Sequence, residues 1–507
     1  MSTVADLWTL FARSADAAPH QAALEVDGRV WSYAELNALA RRTAYALTGA
    51  GAKPGSPVGL WATRDASTYA ALLGILHAGC AYVPMHPGWP AERLRHIARC
   101  TGFAQVVVPP HLDPSRDALL EAAAPNTKRI PVPFDATGSI PDTAPHRGDP
   151  AYILFTSGST GVPKGVAVSH ANVLAYVAHA ASLIDARSTD RFSQTFELTF
   201  DLSVHDLFVC WAAGATLVVP TRDDLLRPAQ YIRAQRITQW FAVPSLAVLI
   251  HRQRSLKDGA FPSLRCSAFC GEPLAETIAR SWSASCAGGR VINLYGPTET
   301  TIAITAYELP QGDARSHHGV LAIGRPFPHA TIAVVDAEDH EAEEGELLLR
   351  GPQVAMGYWN DPERTAASFV QRAGDGPWYR TGDRVRRGAD GDLLFLGRMD
   401  QQVKVRGYRI ELEEVDQALR TTSGAAFAHT IAHPVVDGVA TGLVAFLPAP
   451  ATIPAEDLRA RLGRLLPDHM VPARFLFIDK VPTTTSGKVD LQALAMRAAQ
   501  GPSDGAR

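Results

Sequence analysis

The chain has 507 residues and a mass of 54.4 kDa, more than one ordinary hydrophobic core can organise, so several subdomains are expected. Its composition is that of a globular protein, 46% hydrophobic and 20% charged. A formal net charge of −3 gives no electrostatic reason to expect nucleic acid or an anionic membrane as partner. Apolar runs such as AALLGILHAG (70–79) are too short to span a bilayer. Asp6 stands where a secretory leader would carry its basic end, so a cytoplasmic location without membrane contact is expected. The six cysteines form no CxxC and no zinc spacing, and they read as buried free thiols.

In chain order, SYAELNALARRTAYALTGAG (32–51) has helical periodicity with Ser32 as its N-cap, and SPVGLWA (56–62) is a short β-rich run. STYAALLGILHAG (67–79) reads as an apolar helix leading into CAYVPMHPGWP (80–90), a proline-rich loop; AQVVVPP (104–110) is again β-rich. The alternation continues through AYILF (151–155), TLVVP (216–220), WFAVPS (240–245) and RVINLYG (290–296). It predicts mostly parallel sheets covered by helices, with ligands at the carboxyl ends of strands. Near residue 330 the texture changes: ATIAVVD (330–336), GELLLRG (345–351) and DLLFLGR (392–398) are strands without long helices between them. ELEEVDQAL (411–419) opens a small terminal region. The expected fold class is therefore α/β, with a large N-terminal region over 1–399 (two α/β subdomains plus a β-rich one) and a small α+β lid over 400–507.

Residues 156–165, TSGSTGVPKG, stack glycines and hydroxyls directly after an apolar run. This is not a Walker loop, since no lysine follows the second glycine. Glycines still allow close backbone approach, and consecutive N–H groups form an anion nest. The bland alternative is an ordinary surface loop between a strand and a helix. YGPTETT (295–301) adds an aromatic residue and a lone carboxylate at another strand end, and YRTGDRV (379–385) adds Asp383, suited to a ribose diol. GRMDQQVKVRGYRIE (397–411) and TTTSGKVD (483–490) follow, the latter holding Lys488 in a polar turn.

In this order and at these separations the motifs resemble the adenylate-forming superfamily: acyl-CoA synthetases, luciferases and the adenylation domains of nonribosomal peptide synthetases. The likeness runs from WSYAELNALA (31–40) to TSGKVD (485–490) and includes LHAGCAYVPMHP (76–87), GELLLRGPQVAMGYW (345–359) and LPDHMVPARF (466–475). The resemblance implies that Thr156, Ser157, Gly158, Ser159, Thr160, Gly161 and Lys164 close over the ATP phosphates. It implies that Asn293, Tyr295 and Gly296 hold adenine with Gly271 nearby, that Glu299 binds Mg²⁺, and that Asp383 and Arg398 bind ribose. Lys404 belongs to the same nucleotide-facing set, Gly407 lies beside a phosphopantetheine channel, and Asp400 is the hinge. Lys488, with Thr156 and Glu299, serves catalysis by easing the meeting of a carboxylate with the α-phosphate.

LTFDLSVHDLF (198–208) addresses the substrate. In amino-acid-activating members, the aspartate of FDxS binds the α-amino group, and here that position is Asp201; its bland alternative is a helix cap. The resemblance places Leu202, His205, Phe241, Ala268, Cys270, Leu294, Ile302 and Ala303 around the side chain, a small-to-medium and mostly apolar pocket. His205 is either a partner for a substrate hydroxyl or a satisfied wall residue. The expected activity is ATP-dependent activation of a neutral amino acid, with no nucleic acid partner. No carrier attachment motif GG[HD]S and no condensation motif HHxxxDG occur, so the reading is a free-standing enzyme with a discrete carrier protein in trans. FDLS with FCGE (269–272) keeps a D-alanine–carrier protein ligase open. Free CoA as acceptor and a non-catalytic binding module are the remaining alternatives.

Overall fold

Ser32 caps the first long helix as its position predicts: its hydroxyl accepts from the Glu35 N–H while the Glu35 carboxylate accepts from the Ser32 N–H, a complete capping box. That helix, Tyr33–Gly49, lays its buried stripe against helix Ala66–His77, in which every residue is buried. The computed structural model describes residues 6–134, 150–158, 162–372, 376–451, 453–483 and 489–500. Ser159, Thr160, Gly161 and Lys488 lie outside the described residues.

Two large sheets carry most of the chain. The first has nine strands, and from Arg290–Tyr295 through Cys266–Phe269, Gln239–Ala242, Arg191–Ser193 and Thr216–Val218 to Ala22–Val26 its neighbours run parallel. The second has seven, in the order Gly357–Tyr358, Lys164–Ser169, Pro150–Thr156, Ala81–Met85, Pro57–Trp61, Gln105–Val108, Lys128–Pro131, parallel except at the first two pairings. An antiparallel sheet follows, built on Thr331–Val335, Glu344–Arg350 and the long strand Pro377–Arg387. Two further sheets, from residues 402–478, close the chain together with helix Leu412–Ser423. No helix among the described residues is long and apolar enough to cross a membrane.

Two expectations need correction. The segment expected to be a proline-rich loop begins with a strand, Ala81–Met85, all five residues buried. Proline is tolerated there because the strand pairs fully with Pro57–Trp61 on one side, while on the other it meets Pro150–Thr156 at Tyr82↔Tyr152 alone. The glycine-rich stretch does not lead into a helix. It joins two antiparallel strands, Pro150–Thr156 and Lys164–Ser169, with Thr156 opposite Lys164.

Helix Leu202–Ala212 is the keel of the site, with Leu202 to Trp211 all buried. Trp211 stands edge-on to Phe11 at 5.3 Å and donates its indole N–H to the Ala23 carbonyl at 3.1 Å. Trp211→Ala is expected to cost about 3–5 kcal/mol, read as a lowered midpoint of urea unfolding. An unchanged midpoint would show that the keel is held elsewhere.

Candidate active site

Glu299 sits in the 3₁₀ turn Thr298–Thr300, just past strand Arg290–Tyr295, and is completely buried. A lone buried carboxylate needs cations, and three elements supply its partners. Lys164, opening its strand, places Nζ 3.1 Å from Oε1. The Tyr358 hydroxyl donates to the same oxygen at 2.9 Å and accepts from Lys164 at 2.9 Å. Arg409, from the C-terminal part of the chain, bonds Oε2 at 2.8 Å. Burial pushes the Glu299 carboxyl up, but Arg409 and Lys164 outweigh it and hold the group below its ordinary range.

Arg409 is delivered by a hairpin of strands Gln402–Val405 and Tyr408–Glu411. Its two-residue turn, Arg406 and Gly407, has φ of +52° and +83°, the pair of left-handed residues that a tight hairpin requires. A Cβ on Gly407 would lie 2.5 Å from Val243 Cγ1, so the tip enters the cleft only because residue 407 has no side chain. The Gly407 N–H donates to Glu272 at 2.6 Å, the Ser157 hydroxyl donates to the Arg409 carbonyl at 2.8 Å, and Tyr408 packs edge-on to Phe200 at 4.8 Å. Behind the hairpin, Arg93 pairs with Glu414 at 3.2 Å, both side chains nearly inaccessible.

The ribose candidates form a second network. Tyr295 donates its hydroxyl to Asp383 Oδ2 at 2.5 Å, Arg398 bonds Oδ1 at 2.8 Å, and a second edge of Arg398 grips Asp400 at 2.9 Å. Asn293 uses its amide to hold the Ala322 carbonyl at 2.9 Å. Thr156, Ser157, Asp201, Leu202, Gly271, Tyr295, Gly296, Asp383, Arg398, Lys404 and Gly407 share one cleft with about 90 Å³ of open space. Asn293 and Leu294 line an adjoining one of about 260 Å³ with Lys404 and Arg398.

Asp201 occupies the N-cap position of the keel helix yet makes no capping bond from its side chain, which removes the bland alternative. Burial pushes its carboxyl up to about 6, with the Thr298 hydroxyl and the Ile302 N–H acting the other way and favouring the ionised form. Beside it, Thr301 and Ile302 are both left-handed, at φ +58° and +74°, a strained arrangement for two β-branched residues. Gln353 holds that strain in place, donating to the Ala303 carbonyl at 2.7 Å, while its backbone carbonyl accepts from Thr301 Oγ1 at 2.7 Å. Gly296 is required alongside, since a Cβ there would stand 2.6 Å from Ala303 Cα. Leu202, Phe241, Ala268, Cys270, Leu294, Ile302 and Ala303 belong to one buried cluster. His205 lies one helical turn below Asp201, with its ring 4.2 Å from Phe241. Tyr358, Gln353, Arg409, Glu272 and the Arg93–Glu414 pair escaped the sequence reading. Of these, Arg409, Gln353, Tyr358 and Glu272 lay inside the motifs RGYRIE, GELLLRGPQVAMGYW and FCGE without a role assigned, and Arg93 and Glu414 carried no signal.

Among the described residues, Glu299 is the one that fits Mg²⁺. No cluster of three or more metal-ligating side chains exists among the described residues, so Glu299 would be a single protein ligand to an ion held mainly by nucleotide phosphates. With Arg409 docked, both Glu299 oxygens are already engaged.

The chain is similar to known proteins. The AMP-binding enzyme family matches residues 11–359, and the chain belongs to it, within the ATP-dependent, AMP-forming ligases. A linear gramicidin synthase of Brevibacillus parabrevis is 36% identical over 509 residues, covering 96% of this chain but only 6% of that synthase. Novobiocin biosynthesis protein H of Streptomyces niveus is 36% identical over 529 residues, covering 97% of this chain and 82% of its own. The Vibrio cholerae adenylation domain AlmE, solved with glycyl-adenosine-5'-phosphate, superposes with a TM-score of 0.87 at 29% identity and covers 99% of both chains. The fold and relatives place the chain among adenylation domains of the nonribosomal peptide synthetase kind.

Removing one member of a buried pair costs ~3–5 kcal/mol because the other charge is stranded. Arg93→Met should therefore loosen the docked hairpin, read as faster amide exchange over residues 402–411. Unaltered exchange there would show that the pair does not hold it.

Proposed function

We propose that the protein activates a small-to-medium neutral amino acid as its aminoacyl-AMP and transfers the acyl group to the phosphopantetheine thiol of a discrete carrier protein. The observation that carries this is Asp201: a buried carboxylate, free of capping duty, facing the cleft among apolar neighbours. An α-ammonium pairs with it, and an acid lacking the amine would leave it buried without a cation.

In the first half-reaction the substrate carboxylate attacks the α-phosphorus of ATP and pyrophosphate leaves. Thr156, Ser157 and Lys164 bind the leaving phosphates, Tyr295 and Asn293 orient the base, and Asp383 with Arg398 orients the ribose. Bound Mg²⁺ supplies charge neutralisation at the phosphates. Lys488 neutralises the two anions where they meet. In the second, the region after the proposed hinge at Asp400 docks as described here, and Arg409 takes over the carboxylate of Glu299. A cavity of about 550 Å³, flanked by Phe200, Val243, Ser245, Arg252, Gly407 and Tyr408, has the size and the apolar wall for a pantetheine arm. The thiol attacks the acyl carbonyl, AMP leaves, and a thioester remains.

The test is ATP–pyrophosphate exchange over a panel of amino acids and their des-amino analogues, D- and L-alanine included, followed by loading of a carrier protein or free CoA. Exchange with amine-bearing acids supports the reading; exchange only with fatty or aryl acids contradicts it. Lys488→Ala should abolish adenylate formation while thiol capture of a supplied adenylate survives, whereas equal loss in both steps would remove Lys488 from its role. Because burial holds the free Asp201 carboxyl near pH 6, it is ionised at neutral pH and becomes protonated below. The acid limb of kcat/KM should fall about tenfold per unit below that pH, and Asp201→Asn should flatten it.

A further inference from the structure

Tyr176 stands outside every motif, yet it bonds His205, a residue expected beside the substrate side chain. It belongs to helix His170–Leu183, is fully buried, and places its hydroxyl 2.7 Å from Nδ1 of His205. Neither side chain has another hydrogen-bond partner among the described residues. That sparse pairing settles which atom carries the proton. Burial drives the His205 ring down to about 3, so it is neutral and holds one N–H.

Two arrangements are open. If His205 donates from Nδ1, the tyrosine O–H is left buried without an acceptor and Nε2 is left as an unfilled acceptor. If Tyr176 donates, its O–H and Nδ1 satisfy each other and a single group, the Nε2–H, is left over. The second arrangement strands fewer buried polar groups and is favoured.

Resting on the amino-acid reading above, we infer that Tyr176 fixes His205 as an Nε2–H donor, and that the substrate is a neutral amino acid whose side chain carries an acceptor oxygen, a hydroxyl or a carboxamide. Asp201 and His205 share one face of the keel helix one turn apart, with Cβ atoms separated by about 5–6 Å in such a pair. The inferred side chain of an amino acid held by its ammonium at Asp201 then reaches His205, whose ring lies 4.2 Å from that of Phe241. A purely aliphatic side chain would leave the Nε2–H buried and unpaired, and a site built around a donor rejects such an analogue strongly. Tyr176 is thus a positioning residue acting through His205.

The test compares near-isosteric pairs (threonine with valine, serine with 2-aminobutyrate, asparagine with leucine) by pyrophosphate exchange. The best substrate should carry the oxygen and exceed its hydrocarbon partner in kcat/KM by at least about 100-fold. Tyr176→Phe should cut that ratio about tenfold or more, a selective change that a purely structural role would not produce. Independently of turnover, ring ¹⁵N resonances of the wild-type protein, assigned to His205 by their loss in His205→Gln, should show protonated Nε2 and unprotonated Nδ1. An Nδ1–H tautomer, or valine exchanged as well as threonine, overturns this inference and leaves amino-acid activation standing. Exchange with no amino acid overturns both.

Discussion

A carboxylate with no solvent at all must be neutralised by the protein, and at Glu299 three separate parts of the chain do so. Lys164 comes from the strand after the glycine-rich loop, Tyr358 from the edge strand paired with it, and Arg409 from the C-terminal hairpin. The rest of the site is arranged around that point. It ties the strand opened by Lys164 to the turn that carries Glu299, next to Thr298 in the cleft shared with Asp201. Because Arg409 is only one of two cations, it can leave without stranding the charge, provided another cation arrives.

That condition links chemistry to motion. The hairpin that brings Arg409 is held by contacts spread over several residues: Gly407 on Glu272, Ser157 on the Arg409 carbonyl, Tyr408 on Phe200 and Arg93 on Glu414. Each is modest or offset by desolvation, so docking is a balance that a bound metal–nucleotide can tip. In the proposed cycle the docked arrangement serves thiol capture, and its withdrawal serves adenylate formation.

Much of this was legible in the sequence, for identifiable reasons. Ser32 as the N-cap and the parallel strands leading to YGPTET follow from local chemistry and from motif order. Strand Ala81–Met85 was missed because Pro84 reads locally as a breaker; only its place beside one fully paired neighbour excuses it. The hairpin closing the glycine-rich loop was missed because KGVAVS is as compatible with a helix start as with a strand until Phe155 and Gly165 are seen opposite one another. What was not legible depends on long-range pairing. Tyr176 and His205, Thr301 and Gln353, Arg93 and Glu414 are each unremarkable in sequence and meaningful only when brought together by packing. His205 illustrates the difference, since the Tyr176 hydroxyl on its Nδ1, on which the inference about its role rests, comes from a helix 29 residues earlier in the chain.

The central claim, that Glu299 is shared between a docked arginine and an incoming metal–nucleotide, is tested most directly by measuring the docking itself. Spin labels at Glu121→Cys and Glu413→Cys, both exposed positions on opposite sides of residue 400, report the separation by electron–electron dipolar spectroscopy. The distance distribution should move away from the docked value when ATP with Mg²⁺ is added and return with AMP alone. A distribution indifferent to the metal–nucleotide would contradict the claim.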